Sequence, residues 1–449
     1  MNWENLLSNT RLRQTTRGKD PRNDFESDFG RIIFSPALRR MHDKTQVFPL
    51  TTDDNIHSRL THSMEVMAVG HSLGIRLCEN KDFKEIVKKD PYDLIREIPV
   101  LLKNACLVHD IGNPPFGHFG ETVIQNYFES YFNKAEHLKL DKPEKEDFTG
   151  FDGNAQGFRV LTKLQVLNDD KGLNLTFATL ASYIKYPYFN ESDKKRGIFQ
   201  SEKSILTKIA DECGLKVNNQ IIRHPLCYLM EAADSICYLT MDIEDGFNKN
   251  WYDFTFIEKH FNDIPEIKIG IENIKKKLNG VGDEITKMVN FRIFLIGLLS
   301  DLAVKNFIRN YDKIITGNYI NQKGKTQELI QDDDTNLAKR LSVFCIDHIF
   351  PKRDITSLEL SGHSVITGLL DIFTNFVFHK DDKYTNRIQG LISKSILTAA
   401  FLENGLPEKS KLSELNDYYK LRVIVDFISG MTDQYALDLY QKLSGQKIS

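Results

Sequence analysis

Apolar residues recur at helical spacing over most of the 449-residue chain. Between 59 and 78 (RLTHSMEVMAVGHSLGIRLC), Met64, Met67, Leu73 and Leu77 stand among polar residues at an interval closer to 3.6 than to 2, which predicts a helix. Pro99 fits the first turn of a second helix over about 98–110, where its missing N–H has no partner to lose. A third opens on Pro225 and runs without a breaker through PLCYLMEAADSICYLTMDI to residue 243. Residues 287–309, 337–350, 363–379, 391–402 and 417–430 carry the same periodicity. Strand-like runs are few and short. One hairpin is predicted over 312–331, where KIITGNYI and QELI flank the turn NQKGK. The pattern predicts a mainly α protein with one or two small β-hairpins. Three charged stretches, 133–148, 189–204 and 259–285, read as solvated excursions, the first close enough to His118 and Glu121 to act as a lid or partner contact. There is no internal repeat or low-complexity tract, and a division of the chain near 250 is placed at the Lys- and Glu-rich stretch.

Composition narrows the class. The net charge of −3 provides no general basic field, so a polyanion must be met by a local pocket. Six Cys (78, 106, 213, 227, 237, 345) are scattered without a CxxC pair, which predicts reduced, mostly buried thiols and a cytoplasmic setting. The polar N-terminus lacks a signal-peptide apolar region, and no run approaches the roughly 18 apolar residues of a membrane span.

The chemistry concentrates in CLVHDIGNPPFGHFGE, residues 106–121. Neighbouring helical residues point about 100° apart, so His109 and Asp110 reach one ion only where a helix ends; Gly112, Pro114 and Pro115 supply that end. Imidazole nitrogen with carboxylate oxygen, and no sulfur, suits a first-row divalent ion or magnesium. Two more candidates lie elsewhere: His62, three residues after Arg59, and Asp234, a carboxylate inside an apolar helix where burial is costly unless it is paired or coordinated. His118 and Glu121, three apart, share one face of the helix that restarts after the break. Asp234, Tyr238 and Asp242 recur every four residues along another.

The order His62, His109-Asp110, Asp234 resembles the H…HD…D pattern of the HD-domain phosphohydrolases. With HSRLTHSMEV, LVHDIGNPPFGHFGE, FDGNAQGFR (151–159), EAADSICYLTMDIEDG and DFISGMTDQYAL (426–437), most of the chain is similar to the bacterial deoxyguanosine triphosphate triphosphohydrolases, with few matching motifs between about 250 and 420. The resemblance implies an HD-domain helical core in 1–250, including an N-terminal substrate-binding segment, and a helical region in 251–449 that completes the pocket and an oligomer interface. It implies metal ligation by His62, His109, Asp110 and Asp234, one divalent ion (Mn²⁺ or Mg²⁺), and a catalytic pair in His118 and Glu121. Gln46, Tyr238 and Asp242 would meet the deoxyribose, with Tyr238 crowding the 2′ position. Arg59, Lys185 and Tyr186 would meet the phosphates, and Asn154 would stand near them. The implied reaction converts a deoxynucleoside triphosphate, preferably dGTP, to deoxynucleoside and inorganic triphosphate. The family also implies a closed homo-oligomer, commonly a hexamer, and a possible nucleotide or single-stranded-DNA effector. Two other readings stay open: another HD phosphohydrolase acting on monophosphates or diesters, and a nucleotide- or DNA-responsive regulator.

Overall fold

The computed structural model describes all residues except 15–19, 47–49, 51–56, 136, 166–170, 188–194, 279–281 and 448–449, and the side chains of 353–355. It is built almost wholly of helices. The periodic segments fold as expected into Arg59–Glu79, Pro225–Asn248, Glu284–Arg309, Leu337–His348, Lys394–Glu403 and Asp417–Ser429. Among the described residues the one ladder is a two-strand antiparallel pair, Lys216–Val217 with Gln220–Ile221.

Three expectations are corrected. Pro99 does not open its helix: the element runs Pro91–Val108, with Asp90 as side-chain cap and Pro91 in the first turn. Pro99 is interior and buried, and a Cβ on Gly74 of the neighbouring helix would lie 2.6 Å from the Pro99 Cα. Close seating against that glycine offsets the ladder bond that proline removes. The helix expected over 363–379 spans Arg353–Val377, beginning ten residues earlier through RDITSLELSG, where apolar residues are sparse. The predicted hairpin over 312–331 keeps its turn, where Asn321 N–H donates to the Lys325 carbonyl at 2.7 Å, but only Ile320 and Thr326 pair across it. Helical turns Tyr311–Ile315 and Leu329–Gln331 replace the strands and bury Ile314, Leu329 and Ile330, which alternation could not place on one side.

The charged excursions are also less solvated than expected. Asp147 and Phe148 are buried in the Lys142–Thr149 helix, Phe199 and Glu202 are buried, and Pro265–Leu278 buries Ile267, Ile271 and Ile274. Residues 189–194 of the second excursion lie outside the described residues.

Two hydrophobic cores organise the chain. The first is packed from Arg59–Glu79, Pro91–Val108, Pro225–Asn248 and Glu284–Arg309; the second from Gly117–Phe132, Arg353–Val377 and Asp417–Ser429. The Gly-Asn-Pro-Pro break is where the chain passes from one to the other: Ile111 belongs to the first core and Phe116 to the second. A buried ionic network holds the seam. Arg159, fully buried, pairs with Glu202 and Glu403 at 2.8 Å and Asp426 at 2.9 Å, and Arg422 pairs with Asp426 at 3.0 Å. Nearer the break, Lys44 Nζ donates to the carbonyls of Asn113 (2.6 Å) and Ser429 (2.7 Å). Asp433 accepts from the backbone N–H groups of Thr45 (2.9 Å) and Phe116 (3.0 Å).

Candidate active site

Three helices of the first core bring His62, His109 and Asp234 together. Ser58 caps the Arg59–Glu79 helix by accepting from Thr61 N–H, which places Arg59 and His62 in its first turns. His109 follows the last turn of Pro91–Val108, and its Nδ1–H donates to the Cys106 carbonyl at 2.7 Å. That bond leaves Nε2 as the inward lone pair. Asp234 is central in Pro225–Asn248. Its Oδ1 lies 3.3 Å from both His62 Nε2 and His109 Nε2, and the ligand atoms of the trio fall within 4.8 Å of one another. His109 Nε2 is buried without a hydrogen-bond partner. A buried, unpaired imidazole nitrogen aimed at a carboxylate fits a divalent cation, and the nitrogen–oxygen donor set suits one. Asp110 stands at the edge: Oδ1 is 3.6 Å from His109 Nε2, while Oδ2 is hydrogen-bonded to Arg59 Nη1.

Electrostatics keep both acids charged. Burial alone would raise the Asp234 carboxyl, but Lys185 and His109 outweigh it and hold the group well below the usual carboxylate range. Asp110 is lowered in the same way, by Arg59 and His109 against burial. Burial opposes charge on His109, yet Asp110 and Asp234 together raise its pKa.

Beyond the break, Phe116 and Gly117 both take left-handed backbone angles (φ 61° and 60°), turning the chain into Gly117–Phe132. The left-handed φ at the second position favours glycine, and a Cβ there would lie 2.6 Å from Arg59 Nη2, so a larger residue would have to displace that guanidinium. On the first turn His118 Nδ1–H donates to Glu121 Oε2 at 2.9 Å, and the other Glu121 oxygen accepts from Gly153 N–H at 2.7 Å. Glu121 is buried and the His118 ring is exposed. The bond to Glu121 raises the His118 pKa above its ordinary value; His118 in turn lowers Glu121 against the effect of burial. A carboxylate locked on one side and an imidazole open on the other have the geometry needed to hold and pass on a proton.

Tyr238, half-buried, and Asp242, buried, continue the Asp234 face. Burial, reinforced by Asp245, pushes the Asp242 carboxyl up to about 8. Gln46 is placed beside the start of the His62 helix by the pairing of Thr45 with Ser58, and its Oε1 is buried without a partner. Asn154 donates its side-chain amide to Asp152 at 2.8 Å, one residue from the Gly153 N–H that holds Glu121. Lys185 reaches Asp234 Oδ2 at 2.9 Å, so its charge lies inside the His/Asp cluster. Tyr186 lies under the Arg223 guanidinium, 5.3 Å from the ring centroid, and Arg223 pairs with Glu231 at 2.7 Å.

Sequence reasoning missed several of these. Glu231 stands three residues before Asp234 in the same motif, a spacing that marked it as facing the site. Glu328, hydrogen-bonded to Ser235 Oγ at 3.3 Å and raised by burial to about 7, comes from a segment with no local signal. Lys44 and Asp433 act only through contacts made across the fold.

Residues 59–145 match the HD domain, a span that contains His62, His109, Asp110, His118 and Glu121, and residues 332–442 match the phosphohydrolase-associated domain. The protein is therefore a hydrolase of the HD class. Its similarity extends over nearly the whole chain. It is 37% identical to the deoxyguanosinetriphosphate triphosphohydrolase-like protein of Listeria monocytogenes, covering 99% of this chain and 100% of that one. It is 34% identical to the like-named protein of Synechocystis over 99% of both chains. It is 31% identical to the deoxyguanosinetriphosphate triphosphohydrolase of Serratia proteamaculans over 93% of both. The chain belongs to the deoxyguanosinetriphosphate triphosphohydrolase-like family.

Proposed function

We propose that this protein hydrolyses deoxynucleoside triphosphates, dGTP foremost, to deoxynucleoside and inorganic triphosphate. The observation that carries the reading is that Asp234, which joins His62 and His109 in one cluster, lies on the same helix as Tyr238 and Asp242, with the His118–Glu121 pair next to the cluster. The short span from cluster to stripe favours an α-phosphate at the cluster, with the sugar along the stripe. His62, His109 and Asp234, with Asp110 completing the set, would hold one divalent ion, Mn²⁺ or Mg²⁺. When bound, the ion supplies Lewis-acid charge to the phosphate oxygens.

The chain's own groups do the rest. Arg59, anchored on Asp110, presents its guanidinium to the α-phosphate, and Lys185 adds a second cation beside it, with Tyr186 lining the phosphate side. Gln46 offers a free acceptor to a sugar hydroxyl, Asp242 binds the 3′-hydroxyl, and Tyr238 fills the space of a 2′-hydroxyl. Water adds to the α-phosphorus, the bond to O5′ breaks, His118 gives its proton to the departing O5′, and the proton released by the water restores the His118 imidazolium. Glu121 keeps His118 protonated until the transfer. Asn154, tied to Asp152, helps hold the loop that orients Glu121.

Phosphorus NMR of the reaction with each deoxynucleotide and a divalent ion tests the proposal. Intact triphosphate is the expected product. Pyrophosphate or orthophosphate as the first product refutes it, as does turnover confined to monophosphates or diesters. The family's closed oligomers and its nucleotide or single-stranded-DNA effectors extend to this chain as part of the same proposal.

A further inference from the structure

His57 lies just outside the cluster, and no step above uses it. It is the residue before the Ser58 cap, and its ring is only 15% exposed. Both nitrogens are engaged. Nδ1 lies 2.9 and 3.1 Å from the two oxygens of Asp245, and Nε2 lies 3.1 Å from Glu65 Oε1. An imidazole with a carboxylate at each nitrogen donates twice only when protonated. Burial opposes that charge, but the Asp245 and Glu65 bonds prevail and hold the ring protonated to about 10.

The partners come from two helices. Glu65 lies two turns along the helix that begins with Arg59 and His62, while Asp245 lies on the helix that carries Asp234, Tyr238 and Asp242. Asp245 is also the largest neighbouring charge that raises Asp242, and His57 is the charge that opposes it. One cation therefore stands between Glu65 and Asp245 and its charge also acts on Asp242, with Lys249 acting on Asp245 and Asp234 farther along the same helix. Arg59 N–H is fixed at the same entrance by donation to the Lys44 carbonyl at 3.1 Å, two residues from Gln46.

We infer that His57 is a positioning residue of the nucleotide pocket: by bridging Asp245 and Glu65 it sets the first turn of the Arg59 helix against the sugar-facing end of the Asp234 helix. It touches neither substrate nor reacting atoms. Its removal leaves the Asp245 and Glu65 carboxylates without the cation they share, and the sugar end spreads while the His62–His109–Asp234 trio stays. The inference rests on the proposed function for its kinetic meaning, and its structural part is read independently.

The test uses the full-length protein with Mn²⁺, comparing His57→Gln, His57→Arg, Asp245→Asn and the double variant His57→Gln/Asp245→Asn. In His57→Gln, KM for dGTP is expected to rise about 10-fold or more with kcat within about 3-fold and bound Mn²⁺ unchanged. The preference for dGTP over GTP should narrow. His57→Arg, which restores a buried cation with two-sided donors, should recover most of the KM. The double variant should be no worse than His57→Gln, since both act through one contact. Hydrogen exchange over residues 58–65 should quicken in His57→Gln and recover in His57→Arg. That measurement needs no turnover, so it separates failure of this inference from failure of the proposed activity. Unchanged KM and exchange in His57→Gln overturn the inference. So does an equal loss in His57→Arg and His57→Gln, which marks a packing role without charge. If His57→Gln does not fold, Asp245→Asn carries the test: it should reproduce the KM effect, and wild-type KM and exchange in that variant overturn the inference.

Discussion

Replacing Glu121 by Gln removes a charge while preserving shape, and the geometry sets the size of the effect. The Gly153 N–H can still donate to the amide oxygen, so the bond that anchors the side chain survives. The bond lost in kind is the one from His118 Nδ1–H, 2.9 Å long, now facing an NH₂ group in place of a carboxylate. Hydrogen bonds to charged groups contribute about 1.5–3 kcal/mol. The His118 ring is 74% exposed, so water competes for it and the lower part of that range applies. A loss of about 1.5–2 kcal/mol corresponds to a fall of roughly 10- to 30-fold in kcat, against the roughly 10²- to 10⁴-fold expected for His118→Ala, where the acid itself is gone. Direction in pH is also fixed. Glu121 raises the His118 pKa, so the wild-type imidazolium persists to higher pH, and Gln must move the alkaline limb of kcat to lower pH. Steady-state kinetics of dGTP hydrolysis from pH 6 to 10, with metal content measured alongside, reads all of this. An unchanged kcat with an unchanged alkaline limb refutes the reasoning; a fall in kcat accompanied by metal loss shows that Glu121 serves the cluster and not the proton.

Asp234→Ala removes the oxygen shared by both histidines and should abolish stoichiometric Mn²⁺ binding in a folded protein, as checked by elemental analysis after dialysis. Tyr238→Ala should narrow the ratio of kcat/KM for dGTP over GTP by roughly 10-fold or more; an unchanged ratio rejects Tyr238 as the sugar reader. Arg159→Met leaves Asp426, Glu202 and Glu403 buried without their common partner, and should cost about 3–5 kcal/mol, measured as a lower denaturation midpoint.

What the sequence made legible follows from how local the cause is. Helix type was legible because periodicity is local, and the Gly-Asn-Pro-Pro break was legible because glycine and proline act on their own backbone. His118 and Glu121 were legible as a face for the same reason. The start of the Pro91–Val108 helix was misplaced because Pro99 is tolerated only by a glycine, Gly74, on another helix. The 312–331 hairpin was misjudged because the burial of Ile314 and Ile330 is decided by the core that they join. Lys185 was assigned to phosphate through the resemblance, and only the fold shows it bonded to Asp234. Glu328 and Asp433 carried no local signal, since each acts on partners distant in sequence.

The clamp made by Lys44 and Asp433 has a temporal consequence. Thr45 and the Asp433 that accepts from it are 388 positions apart, and the carbonyl of Ser429 is the second anchor for Lys44. A ribosome adding about 5–20 residues per second takes roughly 20–80 s to cross that interval. For about the last 199 of those positions, roughly 10–40 s at the same rate, the nascent chain already holds His62, His109 and Asp234 but lacks the segment that fixes the backbone at 44–45 and 113–116. The contacts that tie residues 44–45 and 113–116 to the C-terminal segment therefore form last, after the growing polypeptide's far end has emerged.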